Sequence, residues 1–222
     1  MTAPRGFYAV LDRDDEALAR SLVKFSRVLQ VRLKPAHPDD IARVARMARR
    51  VCTDAGAQLI VNDRVDLALA VGADGVHLGQ TDLPLGDARS LVGRRLQIGV
   101  STHDLEQVER AVEGGADYIG YGPVFATSTK ANPDPVQGLE ALRAAVKAAR
   151  GVPVVAIGGI SPHHARDIYA VGASAICAIS SVNGAPDLAA AARALGRPSP
   201  WLRRARYALA THLPILRSKS RP

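Results

Sequence analysis

A chain of 222 residues with 47% hydrophobic content is long enough for one substantial core, and a single domain of the larger α/β type suits it better than two small ones. The aromatic fraction is only 4%, with Ala, Val, Ile and Leu dominant, as expected for parallel strands covered by helices. The formal charge of +8 points to nucleic acid only until it is located: Arg203, Arg204, Arg206, Arg217, Lys219 and Arg221 carry six of those charges in the acid-free segment after Arg197, leaving a body of +2 and no nucleic-acid partner.

The first strand is expected from Phe7 to Leu11, followed by an amphipathic helix from Asp14 to Phe25 with Leu18, Leu22 and Phe25 at helical spacing. The second strand, Val28 to Leu33, carries Gln30, Arg32 and Lys34 at alternate positions, so all three point to one face. A helix starts at Asp39 and stops at Gly56. The third strand, Leu59 to Val61, is broken by Asn62 and Asp63, and a helix from Val65 to Val71 ends at Gly72. The fourth, Gly75 to Leu78, runs into Gln80, Thr81 and Asp82 and is closed by Pro84. Gln97 to Val100 is the fifth, ending in Ser101 and Thr102 before a helix from about His103 to Gly114. Tyr118 to Tyr121 is the sixth. The segment 122–138 is too rich in Gly, Pro and polar residues for regular structure, and a loop of that length is usually functional. A helix from Leu139 to Ala149 leads to the seventh strand, Val152 to Ile157, after which Gly158 and Gly159 precede Ser161 and Pro162, a cap and first-turn pair. The eighth strand, Ala175 to Ile179, ends at Ser180 and Ser181.

Three copies of one helix stop feed these strands: Gly72-Ala73-Asp74, Gly115-Ala116-Asp117 and Gly172-Ala173-Ser174. Eight strands alternating with helices in one domain predict a (β/α)8 TIM barrel of class α/β over 1–197, with 198–222 a short basic C-terminal tail set off by Arg197-Pro198-Ser199-Pro200. An open dinucleotide-binding sheet is the alternative, but no GxGxxG follows the first strand. Cys52 and Cys177 lie among apolar neighbours and read as reduced packing residues, and no apolar run reaches membrane-spanning length. With no apolar leader at the N-terminus, the expectation is a cytoplasmic protein with no membrane partner.

In such a barrel, ligands sit at the carboxyl ends of the strands. If the third and fourth strands are parallel neighbours, Asp63 and Asp82 share one edge of the sheet, where they suit a hard divalent cation such as Mg²⁺; alternatively Asp63 caps its helix and Asp82 begins a turn. The glycines after strand seven and serines after strand eight match the usual phosphate position of barrels. Arg32, Lys34 and Lys130 together with a metal exceed the needs of one monophosphate and suggest a pyrophosphate group. No Ser-His-Asp set or strand-end cysteine nucleophile is evident. The histidines read as surface residues (His37, His163, His164, His212) or as packing and capping residues (His77, His103).

The ordered set Gln30-Val31-Arg32-Leu33-Lys34, Asn62-Asp63, His77-Leu78-Gly79-Gln80-Thr81-Asp82-Leu83-Pro84, Ser101-Thr102-His103, Gly122-Pro123-Val124-Phe125 with Thr127-Ser128-Thr129-Lys130, and Ala156-Ile157-Gly158-Gly159-Ile160 resembles the thiamine phosphate synthase family from about residue 7 to 195. The resemblance implies an enzyme that joins 4-amino-2-methyl-5-hydroxymethylpyrimidine diphosphate to a thiazole phosphate with Mg²⁺, releasing pyrophosphate. It implies that Asp63 and Asp82 hold the metal, that Arg32, Lys34, Asn62, Ser101 and Lys130 serve the diphosphate, and that Gln30 orients the pyrimidine. Within that set Lys130, Arg32 and Ser101 are the expected catalytic residues, and Thr127, Thr129, Gly159, Ile179 and Ser180 are expected to hold the thiazole phosphate. Departures are Ala126 where a proline is expected and Leu33 where an acid is common. Related barrels act as thiazole tautomerases through a histidine whose place is taken here by Pro123, and a non-catalytic phosphate-binding regulator is the alternative from another class. A homo-oligomer is compatible with the pattern.

Overall fold

Eight parallel strands close on one another in chain order: β1 (Gly6–Leu11), β2 (Val28–Val31), β3 (Gln58–Asn62), β4 (Gly75–Leu78), β5 (Gln97–Thr102), β6 (Tyr118–Tyr121), β7 (Val154–Ile157) and β8 (Ala175–Cys177). The ring is completed where β8 pairs with β1, Phe7 opposite Ile176 and Tyr8 opposite Cys177. The computed structural model describes residues 2–127 and 135–196; Thr129, Lys130 and the segment 198–222 lie outside them. Helices α1 (Glu16–Leu22), α2 (Pro38–Ala55), α3 (Val65–Ala70), α4 (Leu85–Val92), α5 (Leu105–Glu113), α6 (Gly138–Ala148) and α7 (Ala165–Ala170) alternate with the strands, and α8 (Ser180–Asn183) and α9 (Leu188–Leu195) follow β8. This is the (β/α)8 architecture that the strand count predicts.

Local chemistry sets the helix starts. Asp15, Asp104 and Asp187 each accept a hydrogen bond from the backbone N–H three residues on, at 2.8, 2.7 and 2.9 Å, which satisfies one of the otherwise orphaned donors of α1, α5 and α9. His37 plays the same part for α2, with Pro38 in its first turn, and Gly56 ends that helix in the left-handed conformation. Ser161 and Pro162 do begin helical structure, but as a 3₁₀ turn, Pro162–His164, that runs into α7. Helix α4 is absent from the sequence reading. Pro84, read there as closing a turn, is the residue immediately before it.

Side-chain alternation divides the interior in two. Residues such as Leu29, Leu59, Val76, Ile98 and Ile119 face outward and form one continuous layer with the helices. The inward positions form a smaller cluster of Tyr8, Val10, Val28, Ile60, Tyr118, Val155, Ala175 and Cys177, so the barrel is filled rather than hollow. Tyr118 fits because β5 offers Gly99 opposite it: a Cβ on Gly99 would lie 2.1 Å from Tyr118 Cζ.

The repeated helix stops have a structural role at the amino-terminal end of the barrel. Asp74 accepts from Leu59 N–H at 2.7 Å and pairs with Arg49 of α2 at 2.6 Å, tying β4 to β3 and to the helix before β3. Asp117 repeats the arrangement two units on, before β6, accepting from Ile98 N–H at 2.7 Å and pairing with Arg89 of α4 at 2.6 Å. The third copy has Ser174, which cannot make the ion pair; its backbone carbonyl accepts from Gly6 N–H at 3.1 Å, as the Asp74 carbonyl does from Gln97 N–H at 3.0 Å. Asp74→Ala and Asp117→Ala each leave a strand N–H without its side-chain acceptor and take the counter-charge from a half-buried guanidinium, which keeps backbone carbonyl acceptors. Each is expected to cost about 2 kcal/mol in urea unfolding and to leave turnover unchanged. A loss below about 0.5 kcal/mol would show that water replaces the carboxylate at no cost.

Candidate active site

The carboxyl ends of the strands surround a cavity of about 470 Å³. Gln30, Arg32 and Lys34 all line it, as their alternate spacing requires, although β2 itself ends at Val31. Asn62, Asp63 and Asp82 form an adjoining wall, Ser101 stands beside them, and Thr127, Gly159, Ile179 and Ser180 lie across the cavity. Every expected site residue among the described residues therefore borders one space. Ile179, expected to end the eighth strand, instead directly precedes α8, because β8 stops at Cys177.

Asp63 and Asp82 meet because β3 and β4 are parallel neighbours, with Asn62 opposite His77. Asp63 N–H extends that pairing by donating to the His77 carbonyl at 2.7 Å, and the residue then turns out of the sheet with φ +62°. The alternative of a capping role for Asp63 does not hold: α3 begins after Arg64 and no side chain caps it. Asp82 does organise its turn, accepting from Gly79 N–H at 2.7 Å. Burial and hydrogen-bond contact with Asp63 raise the Asp82 carboxyl above the usual range, while Gly79 N–H and Lys34 oppose the shift. Lys34 Nζ lies 2.6 Å from Asp63, supplying one positive charge to two adjacent carboxyls.

The two carboxyls are suited to a hard divalent cation that keeps most of its ligands as water or phosphate oxygen. Among the described residues, Asp63 and Asp82 are the pair that would hold such a cation, and no group of three or more His, Cys, Asp or Glu residues suitable for a metal occurs.

Across the cavity, Gly158 and Gly159 bring two loops together. Val124 N–H donates to the Ile157 carbonyl at 2.9 Å and Phe125 N–H to the Gly158 carbonyl at 3.0 Å, extending the β6–β7 pairing past the strands. Gly159 has φ +61°, and a Cβ there would lie 2.2 Å from the Ala126 carbonyl oxygen. Ser181 Oγ donates to the Ile160 carbonyl at 2.7 Å, joining the loop after β8 to this pair. The loop after β6 is also closed at its base, where Gln137 N–H reaches the Pro123 carbonyl at 2.8 Å and Gly138 N–H the Val124 carbonyl at 3.0 Å.

With this geometry in view, the sequence matches the family model described as thiamine monophosphate synthase over residues 7–182. The chain belongs to that family. It is 48% identical over 167 residues to the thiamine-phosphate synthase of Methanoregula boonei, covering 75% of this chain and 77% of the relative. It is 44% identical over 180 residues to that of Moorella thermoacetica, covering 81% and 85%. The thiamine phosphate pyrophosphorylase structure from Pyrococcus furiosus superposes with a TM-score of 0.77 at 36% identity, covering 86% of this chain and 93% of that one. A 3-hexulose-6-phosphate synthase structure at 18% identity and TM-score 0.67 shares the fold. The family's name is that of a transferase, and membership identifies this chain as an enzyme of that kind.

Among the residues that the sequence does not mark as part of a site, the structure places Tyr8, His77 and Tyr118 in the cavity wall, with His103, Gln107 and Cys177 beside them. The available signal is the shared parity of His77 with Gly75 on β4, but one strand alone does not say which parity faces in. His77 is held by Tyr118 Oη at 3.1 Å and Ser101 Oγ at 2.9 Å. Burial, then the charge of Arg32, depresses its pKa to about 4, against the opposing pull of Asp82. The unfolded chain therefore takes up a proton near pH 6.5 that the folded one refuses until about pH 4, and stability is lost as the pH falls through that window. Because the ring keeps some contact with the cavity, we expect roughly 2–3 kcal/mol of acid-dependent loss. Urea titrations of wild type and His77→Gln between pH 7.5 and 4.5 should differ by that slope; parallel curves would refute it.

Proposed function

We propose that this chain joins 4-amino-2-methyl-5-hydroxymethylpyrimidine diphosphate to a thiazole phosphate, giving thiamine phosphate and pyrophosphate. The observation that carries the reading is that one cavity has two chemically distinct walls. One holds Arg32, Lys34, Asn62, Asp63, Asp82 and Ser101, suited to a diphosphate with its cation. The other offers Gly159, Ile179, Ser180 and Thr127, suited to a single phosphate bound by backbone and hydroxyl groups. The named activity of the relatives supports the same assignment.

The bond between the pyrimidinylmethyl carbon and the diphosphate oxygen breaks, its electron pair leaving with pyrophosphate, and the thiazole nitrogen supplies the pair for the new C–N bond. The cation formed on the way is stabilised by the ring's amino group, so no protein nucleophile is required. The protein's task is to align the two substrates and absorb the leaving group's charge. Bound at Asp63 and Asp82, Mg²⁺ would neutralise developing negative charge on pyrophosphate. Arg32 and Lys34 contribute further positive charge, Gln30 orients the pyrimidine, and Lys130 and Thr129 are assigned to the diphosphate and thiazole phosphate by family resemblance. A cytoplasmic setting belongs to the same reading, supported by the two buried free thiols Cys52 and Cys177.

The test is to incubate the purified protein with both substrates, with and without Mg²⁺, and to assay thiamine phosphate. Supplying the thiazole as its phosphate or as its carboxylate phosphate identifies the form used. Formation from neither would overturn the assignment.

A further inference from the structure

Five polar side chains, all of them bordering the cavity, form a continuous chain through the barrel interior. Gln30 Nε2 donates to Tyr8 Oη at 3.0 Å, Tyr8 Oη meets Tyr118 Oη at 2.8 Å, Tyr118 Oη meets His77 Nδ1 at 3.1 Å, and His77 Nε2 meets Ser101 Oγ at 2.9 Å. Its two ends are the residues assigned above to the pyrimidine and to the diphosphate. Its three middle members belong to neither assignment. Tyr118 is 1% exposed and Tyr8 2%, with the His77 ring stacked on Tyr118 at a centroid distance of 5.5 Å.

Hydrogen counting gives the chain a direction. The amide nitrogen of Gln30 can only donate, so Tyr8 Oη accepts there. Tyr8 has one hydroxyl hydrogen, and its other interior neighbours are aliphatic apart from Cys177, a weak acceptor; Tyr118 Oη is the acceptor within reach. Tyr118 then gives its hydrogen to His77 Nδ1. A neutral imidazole that accepts at Nδ1 carries its hydrogen on Nε2 and donates it to Ser101 Oγ. Running the chain backwards would leave the Tyr8 hydrogen among aliphatic groups and Cys177, the costlier arrangement for a buried donor.

We propose that this directed chain makes Ser101 a hydrogen-bond donor to the substrate, with Tyr8, Tyr118 and His77 as positioning residues. Ser101 Oγ already accepts from His77, so its own hydrogen is turned toward the cavity, where an oxygen of the departing diphosphate gains charge as the bond breaks. The same chain holds Gln30 by one of its amide hydrogens, leaving the other and the carbonyl oxygen for a polar pyrimidine edge. The two halves of the diphosphate substrate are thus read by a single proton arrangement. The kinetic part of this inference rests on the proposed function; the direction of the chain does not.

The direction is measured on the wild-type enzyme without substrate, by ¹⁵N NMR of histidine-labelled protein with the His77 signal assigned by its loss in His77→Gln. At pH 7.5 the expected result is a neutral ring protonated on Nε2. A ring protonated on Nδ1, or on both nitrogens, overturns the proposal. In kinetics, Tyr118→Phe should lower kcat about tenfold with KM for the diphosphate changed less than about threefold, because the interaction lost develops mainly in the transition state. Ser101→Ala added to Tyr118→Phe should cost little beyond Ser101→Ala alone, since both remove one oriented donor. Multiplicative losses would show that Tyr118 acts by another route and would equally overturn it. A wild-type enzyme that makes no thiamine phosphate fails the proposed function, while the NMR result still decides the direction.

Discussion

Asp63→Asn and Asp82→Asn are each expected to lower kcat by about a hundredfold or more, the scale set by removing one strong electrostatic contact to a developing anion. Neither should lower stability appreciably. Asp63 pairs with Lys34, whose side chain is 50% exposed, and such an ion pair contributes little. Asp82 accepts from Gly79 N–H, a bond that the amide oxygen of asparagine can also accept. Removing one of two touching carboxyls also relieves the pressure that raises the Asp82 carboxyl. Activity and unfolding should therefore separate, with kcat falling while the urea midpoint stays level or rises. If both variants retained wild-type turnover at limiting Mg²⁺, the assignment of these residues to the metal would be wrong.

Gly99→Ala should act in the opposite sense, by damaging the barrel itself. The new Cβ would lie 2.1 Å from Cζ, 2.4 Å from Cε2 and 2.5 Å from Oη of Tyr118, a ring held between Tyr8 and His77. A rigid buried ring cannot yield without shifting a strand, and we expect a loss of about 3 kcal/mol or more. Tyr118→Leu in the same chain should restore part of that stability by freeing the space, without restoring activity. Equal urea midpoints for Gly99→Ala and wild type would remove the steric argument.

The strands were the most legible part of the chain. Gly75–Leu78 and Tyr118–Tyr121 have the bounds expected of them, because a glycine-based helix stop precedes each and a polar or glycine-containing segment follows. Strands two and eight were read too long, since Leu33 and Ile179 are apolar but lie past the last paired residues, where the chain has begun to turn around the cavity. Helix α4 carries no clear helical period, because LGDARSLV buries only Ala88 and Val92 and contains a glycine. Site residues at strand ends were legible because polar groups interrupt apolar runs there. Tyr8, His77 and Tyr118 are not, because they lie on β1, β4 and β6, no two of them neighbours, and only closure of the barrel turns their inward faces toward one another. The Asp74–Arg49 and Asp117–Arg89 pairs were half visible, as repeated tripeptides whose partners lie 25 and 28 residues away.

The closed base of the loop after β6 separates substrate choice from the integrity of the barrel. Pro123 and Val124 are bonded to Gln137 and Gly138, and Val124 and Phe125 to Ile157 and Gly158 at the end of β7, so the segment between is a bracketed insert whose ends already meet. Lengthening a segment with joined ends costs only about 0.6 kcal/mol per doubling. Variation there, whether by natural drift or by design, leaves the eight strands and their proton arrangement as they are. The neck formed by those four backbone bonds is the natural place to graft a foreign loop, which must carry a cation in place of Lys130 if the diphosphate is still to be used.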